Sequence, residues 1–239
     1  GSPPPPAPRR GAFMNALPLS ERREAIRRFA RARDRNGLWS VQLPIDQDLE
    51  QAVLNDDYEA AKAALEAGAC ADVTEIEHLH RVLFWAFFNN NLEMVELLLA
   101  YGAEVNAEDQ DGNPLLSDAI SSTSHNPLIV QRLLEAGADI HSIDACGHQP
   151  HMTAAGHGNM AILQMLHHAG ADLNWQNGED QDALMLAAQC GETDVVAYLL
   201  ENGADTTHRD REDKSAADWA REEGYEELAV LLETHKARL

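Results

Sequence analysis

Only three cysteines occur in 239 residues, at positions 70, 146 and 190. An odd number at unpaired spacings excludes a disulfide framework and predicts a reducing compartment, the cytoplasm. Aromatic residues make up 5% of the chain, so the core must be built mainly from alanine and branched aliphatics, which suits closely packed helices. No apolar run approaches the roughly 18 residues that a membrane span requires. The Pro-rich, Arg-bearing start lacks the apolar segment of a secretory leader. Also missing are the phosphate loop GxxxxGK, the nucleophile elbow GxSxG, the metalloprotease HExxH and the redox CxxC. No enzyme and no cofactor is therefore expected. Basic residues are scarce as well: 18 Lys and Arg stand against 40 Asp and Glu, a net charge of −22.

That charge is unevenly placed. Residues 1–35 carry nine arginines against Glu21, Glu24 and Asp34, a net +6, and the rest of the chain carries −28. A field of the second kind repels nucleic acid phosphates and favours a basic protein partner. Residues 1–19 are Pro-rich and read as a disordered tail. Residues 20–36 read as a basic amphipathic helix. Ser20 is its N-cap, Ile26, Phe29 and Ala30 form a narrow apolar stripe, arginines cover the remainder, and Asn36-Gly37 stops it. It is expected to dock on the acidic remainder as an N-terminal cap, with binding of a partner or nucleic acid as the alternative. Residues 37–45 form an apolar linker.

From residue 46 the chain repeats. A Gly-Ala pair recurs at Gly68, Gly102, Gly137, Gly170 and Gly203, in steps of 34, 35, 33 and 33. Before each glycine lies an apolar pattern of helical period, such as Val195, Val196, Leu199 and Leu200. Each glycine sits where a helix ends and a left-handed residue is needed. After it come GADIH, GADLN and GADTT in the later units. This pattern resembles the ankyrin repeat family over residues 46–239. The resemblance implies an all-α solenoid of stacked helix-turn-helix units with short β-turn or hairpin tips, preceded by the basic helix. Its six repeats would be 46–73, 74–106, 107–141, 142–174, 175–207 and 208–239. The family's Thr-Pro-Leu-His start survives only in parts, as Asn113-Pro114-Leu115-Leu116, Gln149-Pro150-His151-Met152 and Asp182-Ala183-Leu184-Met185. Losing its Thr and His should weaken the ties between neighbouring turns, with Leu116, Met152 and Met185 replacing them by packing. The first repeat has lost the motif and reads as a cap. Extra residues at 122–124 predict a mobile bulge. The acids of the last repeat predict the polar outer face of a terminal unit.

In the family, inner helices and tips bind protein partners. By register those surfaces here hold Phe88 and Asn89, Glu108 and Asp111, His148, His157, Trp175, Glu179 and Gln189. Phe88 and Trp175 stand where the family has small or polar residues, and exposed aromatics anchor interfaces. Trp85 reads as core. Cys146, His148, His151 and His157 cluster in sequence, but His151 replaces an inward leucine while His148 lies at the tip, so no metal site is expected. Cys190 sits among acids, which disfavours a reactive thiolate. The expected function is a scaffold or adaptor that binds protein. The alternative is an acidic inhibitor of immunity type that neutralises a basic enzyme or toxin, or mimics nucleic acid. No small-molecule substrate, no nucleic acid on the repeats and no membrane span are expected.

Overall fold

A computed structural model describes residues 44–70, 82–109, 111–121 and 126–236. The tail, the basic helix, the linker as far as residue 43 and the predicted bulge at 122–124 lie outside the described residues. The described residues form twelve α-helices and no strand. The all-α expectation holds, and the one bridge between extended residues pairs Glu108 with Pro114. No helix among the described residues is long and apolar enough to cross a membrane. The chain divides into two units, Gly1–Glu104 and Val105–Leu239.

The first unit contains α1 (Pro44–Leu54), α2 (Tyr58–Glu66), α3 (Val82–Phe88) and α4 (Leu92–Ala100). Helix α1 takes in Pro44 and Ile45, which the sequence reading assigns to the linker. Proline at a helix start lacks only an N–H that would be unpaired anyway, and its φ is already helical. Asp57 caps α2 by accepting from the Ala60 N–H at 3.0 Å, and Asn91 caps α4 by accepting from that of Met94 at 2.8 Å. The Asn91 amide also donates to Asp56 Oδ1 at 2.6 Å, tying the two turns together. Helix α1 packs on α2 and α3, and α4 packs on α3 and α2. Leu49, Val53, Phe84, Met94 and Leu98 are buried between them.

The second unit contains four helix pairs: α5 (Leu115–Ser121) with α6 (Pro127–Glu135), α7 (Pro150–Gly156) with α8 (Met160–His168), α9 (Ala183–Cys190) with α10 (Thr193–Glu201), and α11 (Ala216–Glu222) with α12 (Glu226–Lys236). Helices of seven to eleven residues are too short to persist alone in water. They are held by stacking: α5 packs on α7, α7 on α9, and α9 on α11. Each buried aliphatic side chain contributes about 1.5–3 kcal/mol, and Leu116, Met152, Leu163 and Leu199 are among those sealed between layers.

The recurring glycines are left-handed, with φ of +102° at Gly170 and +84° at Gly203, a conformation that penalises a Cβ. Gly191, which ends α9 at φ +76°, has a second constraint, because a Cβ there would stand 2.5 Å from the Tyr225 ring. The outer face of α12 is less polar than expected. Glu226, Glu227 and Glu233 are exposed, but so are Val230 and Leu231.

Hydrogen bonds between repeats follow the same period. Asn106 donates to the Gly137 carbonyl at 3.2 Å and accepts from the Asp139 N–H at 2.9 Å. Asn174 makes the same pair of bonds with Gly203 and Asp205, at 3.1 and 2.8 Å. The equivalent residue between them is His141, which is exposed and makes neither bond. His141→Asn should supply both, with Gly170 and Asp172 as partners. We expect about 1 kcal/mol of added stability, read as a rise of roughly 2–4 °C in Tm. An unchanged midpoint would show that the local geometry at this joint differs from its neighbours.

Candidate binding surfaces

The tips of the second unit are built by one side chain each. Asp109 Oδ1 accepts from the Asp111 and Asn113 N–H groups, both at 2.8 Å. Asp144 accepts from Cys146 and His148 at 2.9 and 2.8 Å. Asn177 accepts from Glu179 and Gln181, and Asp210 from Glu212 and Lys214, all at 2.9 Å. A short polar side chain that binds backbone two and four residues on fixes a turn without any strand. The expected β-turn or hairpin tips are turns closed by these side chains together with a backbone bond, such as that from the Asp144 N–H to the His148 carbonyl at 3.0 Å. Their exposed corners carry Glu108, Asp111 and Glu179.

The other oxygen of Asp109 accepts from the Asn113 amide at 3.2 Å, whereas those of Asp144 and Asp210 bond the helix that follows. Asp144 Oδ2 accepts from the Thr153 hydroxyl at 3.2 Å, and Asp210 Oδ2 accepts from the Trp219 indole N–H at 2.8 Å. Thr153 and Trp219 each lie nine residues after their aspartate. At the same offset from Asp109 stands another acid, Asp118. Its pKa is pushed up to about 7, first by burial and then by the charges of Asp109, Asp144 and Asp111.

The expected surface residues divide unevenly. Phe88, in the first unit, is 51% exposed at the end of α3. It stacks on Phe87 with ring centres 4.6 Å apart and lies 6.4 Å from Trp85. Asn89 beside it is exposed. In the second unit His157 is exposed at the C-terminus of α7, and its ring lies 2.8 Å from the Thr153 carbonyl. Glu179 is exposed but pairs with Arg211 of the next tip at 3.2 Å. Gln189 is half-buried near the end of α9. Trp175 is half-buried too, and its N–H donates to the Asp172 carbonyl at 3.1 Å. His148 is half-buried, and burial holds its pKa below the ordinary imidazole value although Asp144 opposes this.

Of the four metal-ligating residues that cluster in sequence, the fold separates His151, which is fully buried. It brings Cys146 and His148 together with an acid that the sequence reading passes over. Ligand atoms of Asp144, Cys146 and His148 all lie within 4.8 Å of one another. The spacing i, i+2, i+4 around a turn-closing aspartate is the signal that could have found Asp144. Cys190 is exposed, and burial together with Glu192 and Glu223 raises its pKa, so the thiol form is favoured as expected.

The ties between turns are stronger at one joint than the degenerate start motif suggests. Asp182 stands where the family has threonine. It caps α9 by accepting from Met185 N–H at 2.9 Å, and its other oxygen lies 2.8 Å from His208 Nδ1 in the next turn. Burial raises the Asp182 pKa, although these two partners pull it down. Asp182→Ala removes the cap and the cross-turn bond together. We expect a loss of about 2–3 kcal/mol in urea unfolding, and a smaller one for Asp182→Asn, which keeps the cap. Equal losses for the two would assign the whole effect to the His208 bond.

A family profile described as Ankyrin repeats (3 copies) matches residues 49–144, 116–210 and 151–238. The B-cell lymphoma 3 protein homolog of Mus musculus is 35% identical over 109 residues, which cover 45% of this chain and 22% of that protein. Ankyrin repeat and SOCS box protein 6 of Mus musculus is 33% identical over 90 residues, 37% of this chain and 21% of that protein. The aligned region is thus about a fifth of the length of these curated relatives. The glycine period, the helix pairs that it closes and matches running from residue 49 to residue 238 place this chain in the ankyrin repeat family, whose repeats are protein-interaction modules and generally act without catalysis.

Proposed function

We propose that the chain is a non-enzymatic scaffold or adaptor that binds a basic protein in the cytoplasm, through the tips and inner helices of its second unit. The carrying observation is the row of side-chain-closed turns. They hold Glu108, Asp111 and Glu179 exposed on backbone whose own polar groups are already paired. A preformed acidic row loses little conformational freedom on binding, and the −28 charge of residues 36–239 steers a cationic partner toward it. In the first unit, Phe88 and Asn89 offer a separate contact of aromatic type. The charge also favours a second reading, an acidic inhibitor that covers a basic enzyme or toxin.

Affinity capture with the intact chain, an Asp111→Lys/Glu179→Lys variant and a Phe88→Ala variant tests this. The expected result is a basic protein captured by the intact chain, weakened by added salt and lost on charge reversal. Loss of activity of the captured protein in the complex would select the inhibitor reading. Capture that neither salt nor charge reversal changes would overturn the acidic-tip reading, and loss only with Phe88→Ala would move the interface to the first unit.

A further inference from the structure

We propose that Asp144, Cys146 and His148 form a binding site for a divalent transition-metal ion of the zinc class. Three observations carry this. The first is the donor set: carboxylate oxygen, sulfur and imidazole nitrogen are the three ligand types that zinc takes. The second is their convergence, with all three ligand atoms within 4.8 Å of one another. Tetrahedral zinc, with bonds of about 2.0–2.3 Å, sets its ligands roughly 3.5 Å apart. Closing the set therefore needs the ligand atoms to approach one another by about 1 Å.

The third observation is preorganisation. The backbone between the ligands is already closed by the Asp144 N–H bond to the His148 carbonyl at 3.0 Å and by the Gly147 N–H bond to the Asp144 carbonyl at 2.9 Å. Asn113 of the preceding tip accepts from the Ala145 N–H at 2.9 Å and pins the loop from outside. Asp144 Oδ1 is held by two N–H groups, while Oδ2 accepts from Thr153 and keeps a lone pair. Among the described residues, neither the Cys146 sulfur nor the His148 ring has a hydrogen-bond partner to give up. Asp118 lies within electrostatic reach of Asp144, and its charge favours a cation there.

The same turn occurs in the other tips with different residues at the two ligand positions. These are Asp111 and Asn113, Glu179 and Gln181, and Glu212 and Lys214. Only this tip pairs a thiol with an imidazole. Binding forms a metal–sulfur bond and releases the thiol proton to the buffer. Three protein ligands leave one tetrahedral position for water.

The test uses the full chain, reduced and stripped of metal, with two probes. Zn²⁺ is titrated in competition with a chromogenic chelator. Co²⁺ is titrated to read the thiolate-to-metal charge-transfer band in the near ultraviolet. We expect one equivalent of each to bind. Cys146→Ser should erase the cobalt band, and both Cys146→Ser and His148→Gln should weaken Zn²⁺ by at least roughly 10–100-fold, since losing even an outer partner of a ligand costs that much. Neither change touches the N–H groups that close the turn, and unchanged thermal midpoints of the metal-free variants confirm this. Cys190→Ser, at the other exposed thiol, should change nothing. The assignment is overturned if no charge-transfer band develops, if Cys190→Ser removes it, or if His148→Gln binds Zn²⁺ as tightly as the parent.

Discussion

His151→Leu should stabilise the protein at every pH, and its advantage should grow by about 3 kcal/mol between pH 8 and pH 4. His151 lies on α7 with none of its surface exposed. Both ring nitrogens are without a hydrogen-bond partner. Its pKa falls from 6.5 to about 4 because burial disfavours the charged ring; nearby Asp172 pulls it up slightly and His141 pushes it down.

Two costs follow from this setting. The neutral ring leaves a buried N–H and a buried lone pair unmatched, a penalty of about 1–3 kcal/mol that is independent of pH. The second cost depends on pH. Between pH 6.5 and 4 the unfolded chain takes up a proton on this residue and the folded chain does not. Stability is therefore intact above the unfolded pKa and lost as pH falls toward the folded one. Leucine, which the family register expects here, removes both costs. Chemical unfolding of parent and variant at pH 8, 6.5, 5 and 4 checks the prediction. An imperfect fit of leucine would shift the two curves by a constant, so the widening gap is the test. Curves that stay parallel would show that His151 has a proton acceptor or donor in solution.

This case shows what the sequence makes legible. The position of His151 could be read, because glycines 33 residues apart fix the register and the register says which side of a helix faces inward. The same logic places the left-handed turns, the paired helices and the acidic setting of Cys190. It fails where the outcome depends on side chains closing on one another. Trp175 has the register of an exposed residue and is half-buried. Asp182 reads as a lost threonine, but only the fold shows His208 arriving at 2.8 Å to keep the tie. The i, i+2, i+4 spacing of Asp144, Cys146 and His148 is in the sequence, but only the folded turn brings their ligand atoms within 4.8 Å. Comparing repeats position by position recovers some of this. The nine-residue offset from turn aspartate to helix donor is visible in the sequence once two repeats have shown it.

That offset yields the second large effect. At pH 8, in chelated buffer, Asp118→Thr should stabilise the protein by about 2 kcal/mol, and the difference should vanish near pH 4. In the fourth and sixth repeats the residue nine places beyond the turn aspartate donates to it, as Thr153 and Trp219 do. In the third repeat Asp118 brings a second carboxylate toward Asp109, and burial with this repulsion lifts its pKa from 3.8 to about 7. Such a rise corresponds to about 4 kcal/mol. Asp118 is partly open to water, which screens the repulsion, so roughly half is expected. The sign is opposite to that of His151. The folded state holds the Asp118 proton more tightly than the unfolded state, so the penalty is full above pH 7 and disappears below the ordinary carboxyl pKa. Threonine removes the charge and supplies a hydroxyl that can donate to Asp109. Asp118→Asn should recover most of the same gain. If the stability gap between parent and either variant stays constant from pH 8 to pH 4, Asp118 ionises normally and the third tip carries its charge without strain. If the gap closes as expected, this tip is held at a cost that falls as the solution becomes acidic, while the neighbouring layer around His151 loses stability over the same range.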